Sequence, residues 1–303
     1  MPSITLSIEN DFLNYKNVNH IVHYLPKLEY IIDIIKEKEI HPSYCKEHFD
    51  GKDILIPMIS FCNIPIIDVN YFMYYGNYGL GFSIDWAIKN NITPVIYAHE
   101  NSDFVKLPNH INSSSEKVET RLNLIDLLNK MSMAENKLLE EINNDDIKND
   151  LNSLITASKR FIQFTKMWKN EVEFGIDMTY KDNIILKDII KNKKTINSYN
   201  EKEWRFVPNF NDDNCYKDVI FQNEPEYKKY TDKELNPKPH IKEDSYSLKF
   251  KLEDLRYIIV NDSSEVNVII NQLNKSFDEN CVMNRIKEGK LLILPKQSLK
   301  NDF

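Results

Sequence analysis

The run from Ile54 to Cys62, ILIPMISFC, carries no charge and places an apolar side chain at nearly every position. So short an apolar run reads as a strand, and a sheet must be built around it. Pro57, which has no N–H to donate, argues for an edge position or a break within that strand. Further strand signals lie on either side. NHIVHYL (Asn19 to Leu25) holds β-prone Val22 and Tyr24, and TPVIYA (Thr93 to Ala98) follows later. Near the end come Trp204 to Val207, Ser247 to Leu252, Tyr257 to Val260 and a final LLILP.

Helices separate these strands. After Pro26, which suits a first helical turn, Leu28, Ile31, Ile32 and Ile35 recur at three- and four-residue steps and form one apolar face. Ser83 is placed to cap a short helix carrying Asp85 and Trp86. From about 109 to 169 the chain turns rich in Leu, Asn, Lys and Glu, with helical spacing at Leu124, Leu127 and Leu128 and again at Leu151, Leu154, Ile155, Phe161 and Ile162. Strands resume afterwards, so this segment reads as a helical insertion in one domain spanning 1–303. HPSYCKEHFDGKD and the proline-bearing stretch at about 209–243 read as polar loops. The expected fold is α+β: a central mixed, mostly antiparallel sheet with helices packed on one side.

Composition narrows the classes of function. Hydrophobic content of 42% with 11% aromatics supports a packed core, and a net charge of -7 excludes an overall basic field for nucleic acid. No apolar run approaches the roughly 20 residues that span a bilayer. The opening MPSITLSIENDF lacks the basic start and apolar block of a secretion signal, and Cys45, Cys62, Cys215 and Cys281 are scattered without paired spacing. A cytoplasmic protein away from membranes is expected.

Few motifs carry chemistry. His41-x3-Cys45-x2-His48 has metal-like spacing but lacks the second ligand pair of a structural zinc site, and a polar loop accounts for it. No G-x-S-x-G elbow or P-loop occurs, and Cys62 has no catalytic context. Gly79 and Gly81 flank Leu80 where glycine signals close strand packing. The cluster Tyr71, Phe72, Tyr74, Tyr75 and Tyr78 has no interleaved Lys or Arg and reads as core or interface. YNEKEWRFVP (Tyr199 to Pro208) sets Glu201 and Glu203 two residues apart before an apolar run. In a strand they would share a face and line one cleft, each disfavouring ionisation of the other. The alternative is a charged strand start in which Arg205 neutralises Glu203.

The SFC-x-IP step, the YGNYGLGFSIDWA block and EWRFVP together resemble the AbiGi family of abortive phage-resistance proteins over roughly residues 20 to 208. Its members are described as antitoxin components of a two-gene system. The resemblance implies a cognate defence-system partner and a protein or nucleic-acid target. The order of a histidine-bearing strand, a Ser-bearing strand and a late Glu is also similar, more distantly, to ADP-ribosyltransferases, whose split sheet clamps NAD. That likeness would give His23 the adenosine-side ribose and Ser60 the strand position. Tyr75 or Tyr78 would stack on nicotinamide. Glu203 would stabilise the oxocarbenium-like state, and Glu201 would position or deprotonate the acceptor. Binding module and NAD-consuming enzyme both stand as expectations.

Overall fold

A computed structural model describes residues 18–49, 52–66, 68, 75–99, 144–175, 191–210, 215–231 and 240–301, with isolated positions 102, 106–107, 122–123, 130 and 142. Strand β1 (His20–Leu25) leads into α1 (Leu28–Glu37), which buries Ile31 and Ile35 and ends where Lys38 turns left-handed at φ 59. A short β2 (Glu39–Ile40) precedes a hairpin of β3 (Ser43–Phe49) and β4 (Lys52–Cys62). The segment expected as a loop is therefore largely strand. Its polar residues Lys46 and His48 alternate with Cys45, Glu47 and Phe49, and both reach Asp53 across the hairpin. The period of two was present but hidden by charges on its exposed face.

Pro57 lies inside β4, opposite Tyr44, and marks an exchange of partners. Residues up to Met58 pair with β3, and Leu55 and Ile54 pair with β14 (Ile220–Phe221). Beyond it, Ile59 to Cys62 pair with β13 (Glu203–Phe206), and Cys62 with Val22 of β1. β5 (Tyr78–Ser83), β16 (Leu255–Val260) and β17 (Leu292–Pro295) extend the other side, giving the order β17-β16-β5-β1-β4-β13-β6, where β6 is Thr93–Pro94. Every neighbour on this path is antiparallel except β16 and β17. Gly81 permits the β5–β16 approach, since a Cβ there would stand 2.9 Å from Tyr257 Cβ.

Alternation along these strands separates two faces. Ile21, Leu25, Ile59, Phe61, Leu80, Phe82, Ile258 and Val260 point one way. They pack against α1, α2 (Ile84–Lys89), a helix Val266–Ser276 and a helix Glu279–Lys287. Ser83 caps α2 as expected, its Oγ accepting from the Trp86 N–H at 3.2 Å. Val22, Tyr24, Cys62 and Ile259 point the other way, continuous with Ile54, Ile56, Met58 and Val207. This second face is also covered. Ile162 of α3 (Asp145–Gln163) packs on it, as do Ala98 of β7 (Ile96–Ala98) and Met167 of β10 (Thr165–Met167), two strands that pair in parallel. Thus the expected single strand Thr93 to Ala98 divides at Val95, one half joining the main sheet and the other β10.

Asn144 caps α3, accepting from the Asp146 and Ile147 N–H groups. The expected helix around Leu124, and Tyr71, Phe72 and Tyr74, lie outside the described residues. The stretch read as a polar loop contains β14 and a helix from Pro225 to Thr231, anchored by Tyr227 in an apolar cluster with Tyr44 and Leu55. All four cysteines are free thiols. Among the described residues no helix is long and apolar enough to cross a membrane.

Candidate functional site

The decapeptide YNEKEWRFVP does not enter β13 as a plain strand. Ser198 to Glu201 form a 3-10 turn capped by the Asn197 side chain, and Lys202 turns left-handed at φ 44 before Glu203 opens the strand. Glu201 and Glu203 nevertheless converge, through that turn rather than through strand pleat. Lys166 of β10 bridges them, its Nζ lying 2.8 Å from Glu201 Oε2 and 2.7 Å from Glu203 Oε2. Arg205, on the same strand face as Glu203, donates from Nε to Glu203 Oε1 at 2.7 Å and from Nη2 to Oε2 at 3.2 Å. The same Nη2 reaches Glu47 Oε1 of β3 at 2.8 Å, and Nη1 donates to the Gln163 carbonyl at 2.8 Å. Glu47, Lys166, Glu201, Glu203 and Arg205 are all buried.

Among the described residues three buried carboxylates thus face two buried cations, and such groups are tolerated only when paired and hydrogen-bonded. Burial by itself would raise the Glu203 carboxyl, but Arg205 and Lys166 outweigh it and hold it down to about 2. At Glu47 burial wins over Arg205 and Lys166, and its pKa is raised. Lys166 is held well above its ordinary range because the attraction of Glu203, Glu47 and Glu201 outweighs its burial. Cys62 faces this side too, and burial together with Glu201 and Glu203 pushes its thiol well above the ordinary value.

A ring of aromatics joins this network to the surface. Tyr75 donates to Glu201 Oε1 at 2.6 Å, and the Tyr97 hydroxyl accepts the Glu203 N–H at 2.7 Å. Trp168 stacks on Tyr199 with ring centroids 4.6 Å apart and planes 13° from parallel, and Tyr97 meets Tyr199 edge-on at 5.4 Å. Tyr199 is 47% exposed and Tyr75 38%, so the outer edge of the cluster is an aromatic surface.

The residues singled out in the sequence divide between the two faces. Glu201, Glu203, Ser60 and Tyr75 belong to the network side. Ser60 lies opposite Arg205, and its hydroxyl donates to Met58 Sδ at 3.2 Å. His23 is one residue from Val22, which shares a face with Cys62 and Glu203, so the His23 ring lies on the opposite face, against Phe61 at 5.5 Å. Its Nδ1–H donates to the Ser60 carbonyl at 2.8 Å, and burial lowers its pKa. Tyr78 also faces away, its hydroxyl donating to Glu265 Oε1 at 2.8 Å. The sheet thus stands between His23 and Glu203. Lys166, Glu47, Trp168 and Tyr97 carry no motif. Only the alternation of Cys45, Glu47 and Phe49 hinted that Glu47 turns inward.

These features define an α+β protein whose second sheet face is organised by a buried ion network edged with exposed aromatics. Its sequence matches, over residues 29–261, the family model described as "Putative abortive phage resistance protein AbiGi, antitoxin", and the chain belongs to the AbiGi family. It is similar to the abortive phage resistance protein AbiGi of Lactococcus lactis subsp. cremoris, 26% identical over 227 residues that cover 71% of this chain and 75% of that relative. No solved structure matches.

Proposed function

We propose that the chain is the partner-binding, antitoxin-like member of an abortive-infection pair, acting within the bacterial cytoplasm, and that the aromatic edge around Tyr199 contacts its partner. The antitoxin description of the family supports the role. The observation that carries binding over catalysis is the state of Glu203. Both its carboxylate oxygens are bound by Arg205 and Lys166, it is 3% exposed, and His23 sits across the sheet. A carboxylate that stabilises a transient cation must meet the substrate, and one already bridged by two internal cations has little differential attraction left to give. Trp and Tyr at an exposed edge are side chains that anchor protein interfaces.

Co-expression with the toxic member of the pair tests the proposal. The wild type restores growth, and Tyr199→Ala with Trp168→Ala weakens both rescue and complex formation by at least about tenfold, the effect of losing an interface anchor. The NAD-dependent alternative, transfer of ADP-ribose to a protein or nucleic acid or hydrolysis of NAD, is tested with labelled NAD in the presence of that partner. Nicotinamide release that disappears in Glu203→Gln while the fold is retained would replace binding by catalysis.

A further inference from the structure

A second cluster of ligating side chains lies away from this network, where α1 turns into β2. Glu37 is the last residue of α1, Lys38 reverses the chain, and Glu39 and His41 follow two residues apart. His41 Nε2 stands 3.4 Å from Glu37 Oε2 and 3.6 Å from Glu39 Oε1, and the three donor atoms all lie within 4.8 Å of one another. The spacing His41-x3-Cys45-x2-His48 is not what gathers here: Cys45 and His48 point to opposite faces of β3, and His48 pairs with Asp53.

Three observations separate this cluster from an ordinary surface ion pair. The His41 side chain is only 12% exposed, yet its Nε2 makes no contact of ordinary hydrogen-bond length with either carboxylate. Among the described residues neither Glu37 nor Glu39 pairs with a lysine or arginine. The neighbouring lysines are drawn elsewhere, Lys38 over Phe277 and Lys249 to Asp244. Glu39 is also held in place, its Oε2 accepting from Ser247 Oγ at 2.8 Å. Ligands bound at roughly 2.0–2.1 Å around a tetrahedral ion stand about 3.4 Å apart. The two distances from His41 match that edge, whereas they are long for direct hydrogen bonds.

We propose that Glu37, Glu39 and His41 form a binding site for a divalent transition ion of the zinc class, with one imidazole and two carboxylates as ligands and a fourth position open to water. Mixed nitrogen and oxygen donors suit zinc or cobalt better than calcium or magnesium, which take oxygen alone. The ion would fasten the end of α1 to β2 and, through Ser247, to the strand beside it (β15, Leu248–Lys249). The site is independent of the Glu203 network, and its failure leaves the binding role intact.

The test uses the full chain, stripped with chelator, in a Cys215→Ser, Cys281→Ser background so that exposed thiols cannot bind the probe. Cobalt(II) is titrated by visible absorption and zinc by calorimetry. One ion per chain is expected, with the intense absorption of a four-coordinate cobalt centre and a raised melting temperature. His41→Gln and Glu37→Gln should each weaken zinc at least about tenfold. Glu37 is the more exposed ligand, so its variant separates lost binding from lost fold, checked by far-UV circular dichroism. Absence of saturable binding at millimolar zinc overturns the site, and so does binding unchanged in Glu37→Gln and His41→Gln.

Discussion

Replacing Arg205 with methionine tests whether the network is a structural hub. Arg205 is fully buried, and its guanidinium serves Glu203 twice, Glu47 once and the Gln163 and Thr165 carbonyls. Methionine fills much of the volume but supplies none of these donors. Glu47 then loses its ion-pair partner, and of the described cations Lys166 is the one that stays between Glu201 and Glu203. Breaking a buried pair by removing one member costs about 3–5 kcal/mol, because an uncompensated charge stays behind. Domains of ordinary stability have about 5–15 kcal/mol in all, so the variant should unfold at much lower urea, or fold incompletely. Urea denaturation at neutral pH, followed by circular dichroism, measures the loss. Adding Glu47→Leu to Arg205→Met removes the stranded charge as well as the arginine. The double variant should recover at least about 1 kcal/mol relative to Arg205→Met, since apolar replacement of a whole buried pair is often near neutral. A loss below about 1 kcal/mol in Arg205→Met, or no recovery in the double variant, would refute the argument.

The remaining predictions concern pH, strand packing and capping. The Glu203 carboxyl is lowered in the fold from its ordinary 4.5 to about 2, so its contribution is full above about 4.5 and is lost as pH falls toward about 2. Glu47 has the opposite sign: its raised pKa weighs against folding at neutral pH, and that cost is relieved as it takes up a proton. Denaturant midpoints measured across pH should therefore hold or rise from neutral to about 5, then fall steeply below about 4.5; Glu203→Gln should blunt the steep part. Gly81→Ala drives a Cβ to 2.9 Å from both Cβ and Cδ2 of Tyr257 and should cost about 1–3 kcal/mol in thermal unfolding, relieved only in part by Tyr257→Ala, which keeps its own Cβ. Ser83→Ala removes the cap of α2 and should cost about 1 kcal/mol with the fold unchanged.

Much of the scaffold follows from periodicity that local chemistry enforces. The three- and four-residue recurrence of Leu28, Ile31, Ile32 and Ile35 has one outcome, a helix with that face buried. The apolar run around Phe61 has one outcome as well, a covered strand, and the cap at Ser83 and the narrow passage at Gly81 are legible from the residue types alone. The family too could be read from the SFC-x-IP step, the glycine-aromatic block and EWRFVP. In β3, by contrast, exposed Lys46 and His48 masked the period of two, and an inward Glu47 looked like one more surface charge.

Only the tertiary structure decided what Glu201 and Glu203 do. Their spacing was consistent with an open cleft and with internal pairing, and the choice depended on Lys166, Glu47 and Tyr75, distant in sequence and marked by no motif. Strand order likewise decided the placement of His23: register put Val22, not His23, on the face of Cys62 and Glu203. Local pattern fixes which residues must leave water, because burial free energy is read one side chain at a time. Which buried charge meets which depends on pairing between remote strands, and no local propensity encodes that.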